Sequence, residues 1–236
     1  MRFAYLIERP FNDRGEDGRI TGCDVDLARH VFQTLGIARF DPVETEFAAL
    51  LPGLADGRWR MTTGLFATGA RQRVALFSRP IWALADGLLV RKGNPMGLSG
   101  YSGVLRDDRA ILAVIRDQVQ HRTALETGIP ATRVKMFDTY PDAAAAVRDG
   151  RADAYASVAR AHTGFILRHP DWGLEAVAVP PEEKSPAFGA FAFSLADGTL
   201  RAEVDEVLTR YLGSPAHRRM MHAYGFRDAE IDLTVA

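Results

Sequence analysis

A chain of 236 residues is long for one compact domain and comfortable for two lobes that each bury a core. Its 47% hydrophobic and 25% charged residues exclude the disordered and membrane-spanning extremes of composition. With 29 Lys plus Arg against 30 Asp plus Glu and no long run of either sign, it carries no footprint for nucleic acid, and polyanions are not expected partners.

Short apolar runs alternate with helical patterns along the chain, the signature of an α/β fold with largely parallel sheets. A first strand is read at 2–7, which leaves no room for an export signal ahead of it, so either a signal has been removed or the protein is cytoplasmic. After the loop 12–18, Leu27, Ala28, Val31, Phe32 and Leu35 share one face of a helix over 24–35, with Asp24 as its N-cap and Gly36 as its stop. The single cysteine, Cys23, allows no intrachain disulfide and supports no redox chemistry. Ile20-Thr21-Gly22-Cys23 imitates a lipoprotein cleavage box, but the residues before it are polar rather than an apolar signal core.

Leu50, Leu51 and Leu54 mark a second helix with Pro52 in its first turn, followed by strands at 61–66 and 84–90. Arg91-Lys92-Gly93-Asn94-Pro95 is a polar break, after which a new α/β series runs through strands at 110–115, 134–137, 152–156 and 174–179 and a helix at 142–148. Pro180-Pro181-Glu182-Glu183-Lys184 breaks the pattern again, a strand at 188–193 returns to the first lobe, and helices at 202–212 and 216–224 close the chain. The expected organisation is a discontinuous first lobe of 1–91 and 187–236, a second lobe of 95–180, and hinge segments at about 90–94 and 180–188.

Rival chemistries find little support. The serines in Gly97-Leu98-Ser99-Gly100-Tyr101-Ser102-Gly103 lack the spacing of a nucleophile elbow, and the segment reads as a flexible turn. His217 and His222 stand five apart on a helix, on different faces and with no carboxylate at metal-ligand spacing. No phosphate loop or dinucleotide glycine fingerprint follows any strand. No cofactor and no metal is expected.

Five pieces in order carry a resemblance: Pro10-Phe11; Gly22-Cys23-Asp24-Val25-Asp26-Leu27-Ala28; Leu50-Leu51-Pro52-Gly53-Leu54 with Gly57-Arg58; Thr68-Gly69-Ala70-Arg71; and Phe77-Ser78-Arg79-Pro80. Gly150-Arg151-Ala152-Asp153-Ala154 and 188–193 with Asp197-Gly198-Thr199-Leu200 extend it more faintly. The sequence resembles the family 3 extracellular solute-binding proteins, the amino-acid receptors of ABC importers. The resemblance implies a periplasmic-binding-protein-like fold, two α/β lobes joined by a two-crossing hinge, and a non-enzymatic, monomeric receptor in the periplasm or outside the cell. It also implies a small zwitterionic ligand and, as partners, the importer's membrane subunits.

In that family the arginine of the threonine-x-x-arginine element grips the ligand carboxylate, a role that falls on Arg71. A planar guanidinium matches a carboxylate bidentately; the alternative is a surface arginine near a helix start. Thr68 is read equally as a cap of that helix or as a ligand contact. Glu8 and Phe11 follow the first strand, and Phe47 and Phe66 take the family's other places around the ligand. Together they make an aromatic box with opposite charges at two ends, suited to a delocalised or alkylated cation and similar to ectoine-binding receptors. The alternative for Phe47 and Phe66 is a place in the core. From the second lobe, the family's loop maps onto Asp117, Gln118, Val119 and Gln120, and Gln118 and Gln120 are the candidate contacts. The family's amine-binding acid falls at Val158, which departs from a plain α-amino-acid site. Two other functions stay open: a lyase or dehydratase using Glu8, and a ligand-sensing domain.

Overall fold

A computed structural model describes residues 1–235, whose contacts divide into two compact units, Met1–Ala83 with the segment from Ala187 onward, and Leu84–Pro186. In the first unit the chain runs through β1 (Arg2–Tyr5), the hairpin β2 (Asp13–Arg14) and β3 (Ile20–Thr21), and α1 (Cys23–Thr34). Next come β4 (Asp41–Glu44), α2 (Leu50–Ala55), β5 (Met61–Phe66), α3 (Gly69–Gln72), β6 (Leu76–Phe77) and β7 (Trp82–Leu84). The second unit holds β8 (Asp86–Arg91), α4 (Tyr101–Arg106), β9 (Leu112–Ile115), α5 (Val119–Glu126) and β10 (Val134–Phe137). It continues with α6 (Tyr140–Arg148), β11 (Ala154–Val158), α7 (Ala159–Arg168) and β12 (Leu174–Ala178). The chain returns to the first unit with β13 (Ala187–Phe193), α8 (Gly198–Tyr211), α9 (Pro215–Ala223) and α10 (Asp228–Asp232).

The first unit's sheet has the order β4-β1-β5-β13-β6, with β7 also on β13. β1 pairs parallel with β4 and β5, whereas β13 runs antiparallel to β5 and β6. Parallel strands end on one edge, so the residues that follow β1, β4 and β5 are brought together there. The central strand β5 reads as an apolar run because it is covered on both faces, and Met61 and Leu65 are fully buried in it.

The second unit's sheet has the order β10-β9-β11-β8-β12, parallel where β9 meets β10 and β11 and antiparallel where β8 meets β11 and β12. Its core gathers Leu88, Val90, Tyr101, Val104, Leu112, Val114 and Ala156. The strand expected at 84–90 is therefore two strands, β7 in the first unit and β8 in the second unit's sheet, between β11 and β12. The changeover falls at Ala83–Leu84, ahead of the polar break at 91–95, which is a turn closed by Asn94 N–H on the Arg91 carbonyl at 2.9 Å. β8 joins the second sheet because Leu88, Leu89 and Val90 are buried there and bare Gly87 lets Ala159 approach, a Cβ at Gly87 coming within 2.8 Å of Ala159 Cα.

The segment 97–103 is likewise not a flexible turn through its length. Asn94 holds Leu98 by two side-chain bonds, and Tyr101 is fully buried at the start of α4.

Candidate ligand-binding site

Gly22 precedes α1 with φ 131°, and a Cβ there would stand 2.1 Å from the Phe11 carbonyl oxygen, so only glycine lets the two segments meet. That approach aims Asp24 inward. Asp24 was expected to cap the helix; the cap position belongs to Gly22, and the Asp24 carboxylate lies buried in the first turn. Thr63 Oγ1 donates to its Oδ2 at 2.5 Å, and Trp82 Nε1 to its Oδ1 at 3.1 Å. Burial pushes the Asp24 carboxyl up to about 6, opposed by these bonds.

The turn from Glu8 to Asn12 is closed by Glu8 N–H on the Asn12 carbonyl at 2.9 Å and by Phe11 N–H on the Glu8 carbonyl at 2.9 Å. It places Glu8 just past β1. Burial, with the nearby Asp24 charge, pushes the Glu8 carboxyl up to about 7. The Phe11 ring lies 5.7 Å from Trp82 and 6.2 Å from Phe226. At the end of β5, the Phe66 ring meets Trp82 edge-on at 5.5 Å and 84°. Trp82, which the sequence reading did not single out, is thus the ring neighbour of both.

Thr68 caps α3, its hydroxyl accepting from Arg71 N–H at 3.4 Å, which gives it the capping role of its two readings. Arg71 Nη1 donates to the Phe66 carbonyl at 3.1 Å and its guanidinium stands over the Phe47 ring at 5.2 Å. The first unit therefore brings Phe47, Phe66 and Arg71 into contact and places Phe11 one ring away from Phe66. A groove of ≈ 560 Å³ on the same unit is lined by Phe66, Thr68, Phe77, Ser78 and Phe188 among others, and excludes Glu8, Phe11, Phe47 and Arg71. Lacking any charged lining residue, it does not match a zwitterion.

In the second unit, Asp117 has the left-handed φ of 64° ahead of α5, and Gln118 Oε1 is buried with no hydrogen-bond partner among the described residues. Gln120 departs from its expected role. Its side chain is 2% exposed and its Nε2 donates to Asp86 Oδ1 at 2.7 Å, so it serves the unit's interior. Val158 ends β11 with no charge to offer an ammonium group. Among the described residues no group of His, Cys, Asp and Glu is placed to hold a metal ion, and no helix is long and apolar enough to cross a membrane.

The model of the bacterial extracellular solute-binding proteins, family 3, matches residues 2–225. The chain belongs to this family. A probable amino-acid ABC transporter periplasmic-binding protein of Sinorhizobium fredii is 29% identical over 235 residues, covering 96% of this chain and 77% of the relative. A probable amino-acid ABC transporter-binding protein of Haemophilus influenzae is 23% identical over 200 residues, covering 84% and 74%. Among solved structures, EhuB in complex with hydroxyectoine matches with a TM-score of 0.87 at 29% identity, covering 99% of this chain and 91% of that one. The arginine-, lysine-, histidine-binding protein ArtJ of Geobacillus stearothermophilus matches at 0.86 with 18% identity, covering 100% and 98%, a likeness of fold alone. As a family 3 solute-binding protein the chain has the periplasmic-binding-protein fold, and its family is one of extracellular receptors that serve ABC transporters.

Proposed function

We propose that this chain is the periplasmic receptor of an ABC importer and captures, as a monomer, an ectoine-like or amino-acid-like zwitterion by closing its two units over it. The observation that carries this reading is the contact of Arg71 with Phe47 and with the Phe66 carbonyl. These contacts fix a guanidinium fork on the Phe47 ring face and against the Phe66 backbone carbonyl, a carboxylate grip beside the aromatic set of Phe11 and Phe66. Glu8 supplies the negative end for the ligand's cation, and Gln118 a buried acceptor from the second unit. The likeness to EhuB at 29% identity supports the ectoine-like class.

Calorimetry with ectoine, hydroxyectoine, glycine betaine, proline and arginine tests the reading, and saturating ligand is expected to make the molecule more compact in solution scattering. Silence from every probe sinks it.

One observation favours a second reading. A Glu8 carboxyl near 7 is suited to general acid–base work, as an elimination of a bound carboxylate would need. A ligand recovered chemically changed after incubation, and unchanged with Glu8→Gln, decides for turnover.

A further inference from the structure

The sheet edge carries more than the ring set read from the sequence. Trp82 is 5% exposed and is held on several sides at once. Its indole N–H is bound to Asp24, its six-membered ring lies on Gly189, where an added Cβ would come within 1.8 Å, and Phe11 and Phe66 are its ring neighbours. Gly189 is the register partner of Phe66, so the indole and the Phe66 ring share one face of the sheet.

Resting on the proposed function, we infer that Trp82, fixed by Asp24, is the specificity-determining positioning residue of the site, setting the spacing of the Phe11 and Phe66 rings that face a delocalised cation. Cation–π attraction falls away once the cation leaves the ring face, so a small displacement of either ring weakens it. A bidentate grip by Arg71 on a carboxylate depends on α3, its Thr68 cap and the bond to the Phe66 backbone carbonyl rather than on the Phe66 ring. The loss of Trp82 should therefore fall on the cation end of the ligand.

A double-mutant cycle with ectoine as probe tests this. Trp82→Phe removes the anchoring N–H and is expected to weaken ectoine binding about three- to thirtyfold. Combined with Phe66→Leu the losses should be strongly non-additive, because both act through one ring, whereas with Arg71→Lys they should multiply. A merely structural tryptophan would lower the melting midpoint and leave both combinations multiplicative, which overturns the assignment while leaving the receptor reading intact. Wild-type protein that does not bind ectoine at all overturns the cation-cage reading and this assignment together.

A second measurement needs no substitution at the site. In protein labelled with 5-fluorotryptophan and assigned through Trp59→Phe and Trp172→Phe, the Trp82 fluorine resonance should shift on ectoine addition while those of Trp59 and Trp172 stay. A stationary Trp82 resonance overturns the assignment.

Discussion

Gln120 Nε2 donates to Asp86 Oδ1 at 2.7 Å, and the Tyr101 hydroxyl donates to the other oxygen at 2.7 Å, so one buried carboxylate joins β8 to α4 and α5. Asp86 follows closely on the point where the chain enters the second unit, and its carbonyl accepts from Val179 N–H at 3.0 Å, near where the chain leaves it. Asp86→Ala strands a buried hydroxyl and a buried amide, at an expected cost of about 2–5 kcal/mol in urea unfolding. Asp86→Asn, which keeps one acceptor, should cost less. Equal costs for the two would show that the hydrogen bonds contribute little.

Glycine substitutions should rank by what surrounds them. Gly36 has φ 68° and open space around it, so Gly36→Ala meets backbone strain alone, about 1 kcal/mol. Gly22 has φ 131° and a Cβ there would collide with the Phe11 backbone, which cannot move aside without opening the turn that carries Glu8. Gly22→Ala should therefore cost about 3 kcal/mol or more. Equal melting midpoints for the two variants would contradict the close approach.

Glu8 should destabilise the fold that it serves. Its folded-state carboxyl is raised to about 7 from an ordinary 4.5, so between those pH values the folded chain binds more protons than the unfolded one. Stability from this group is present at low pH and is lost as pH rises toward 7. His162 and His217, buried neutral and lowered to about 4, act in the opposite sense: they cost stability as pH falls from 6.5 toward 4. Glu8→Gln is expected to raise stability at pH 8 by about 1–2 kcal/mol, to change it little at pH 4.5, and to weaken the ligand. Denaturation at the two pH values checks this, and a gain that is the same at both would contradict it.

The two α/β series and strand Met61–Phe66 were legible because an apolar run covered on both faces needs no partner to be recognised. Arg71, Phe47 and Phe66 were legible as neighbours only through the family resemblance. Asp24 was not legible as an anchor, since its partners Thr63 and Trp82 lie 39 and 58 residues away and helix-start chemistry explains an aspartate there equally well. The interior bond of Gln120 was not legible for a related reason: the family's loop maps onto this residue, and Asp86, its partner, lies 34 residues away. α7 (Ala159–Arg168) escaped because its buried face consists of Ala161, His162 and Gly164, which carry little apolar signal.

The arginine of α3 separates binding from folding most cleanly. Arg71 is half-buried, with a hydrogen bond to a backbone carbonyl and a face contact with Phe47, so truncating it removes little packing. Arg71→Ala should thus change unfolding free energy by less than about 1 kcal/mol. Its effect on a carboxylate ligand should be far larger, about 2–5 kcal/mol, because the ligand charge is then desolvated without a partner. Arg71→Lys tests the geometry: a point charge keeps the attraction but loses the planar fork, so its affinity should fall between wild type and Arg71→Ala. Lysine equal to arginine would mean that charge alone matters, and Arg71→Ala with wild-type affinity by calorimetry would take the carboxylate grip away from α3 altogether.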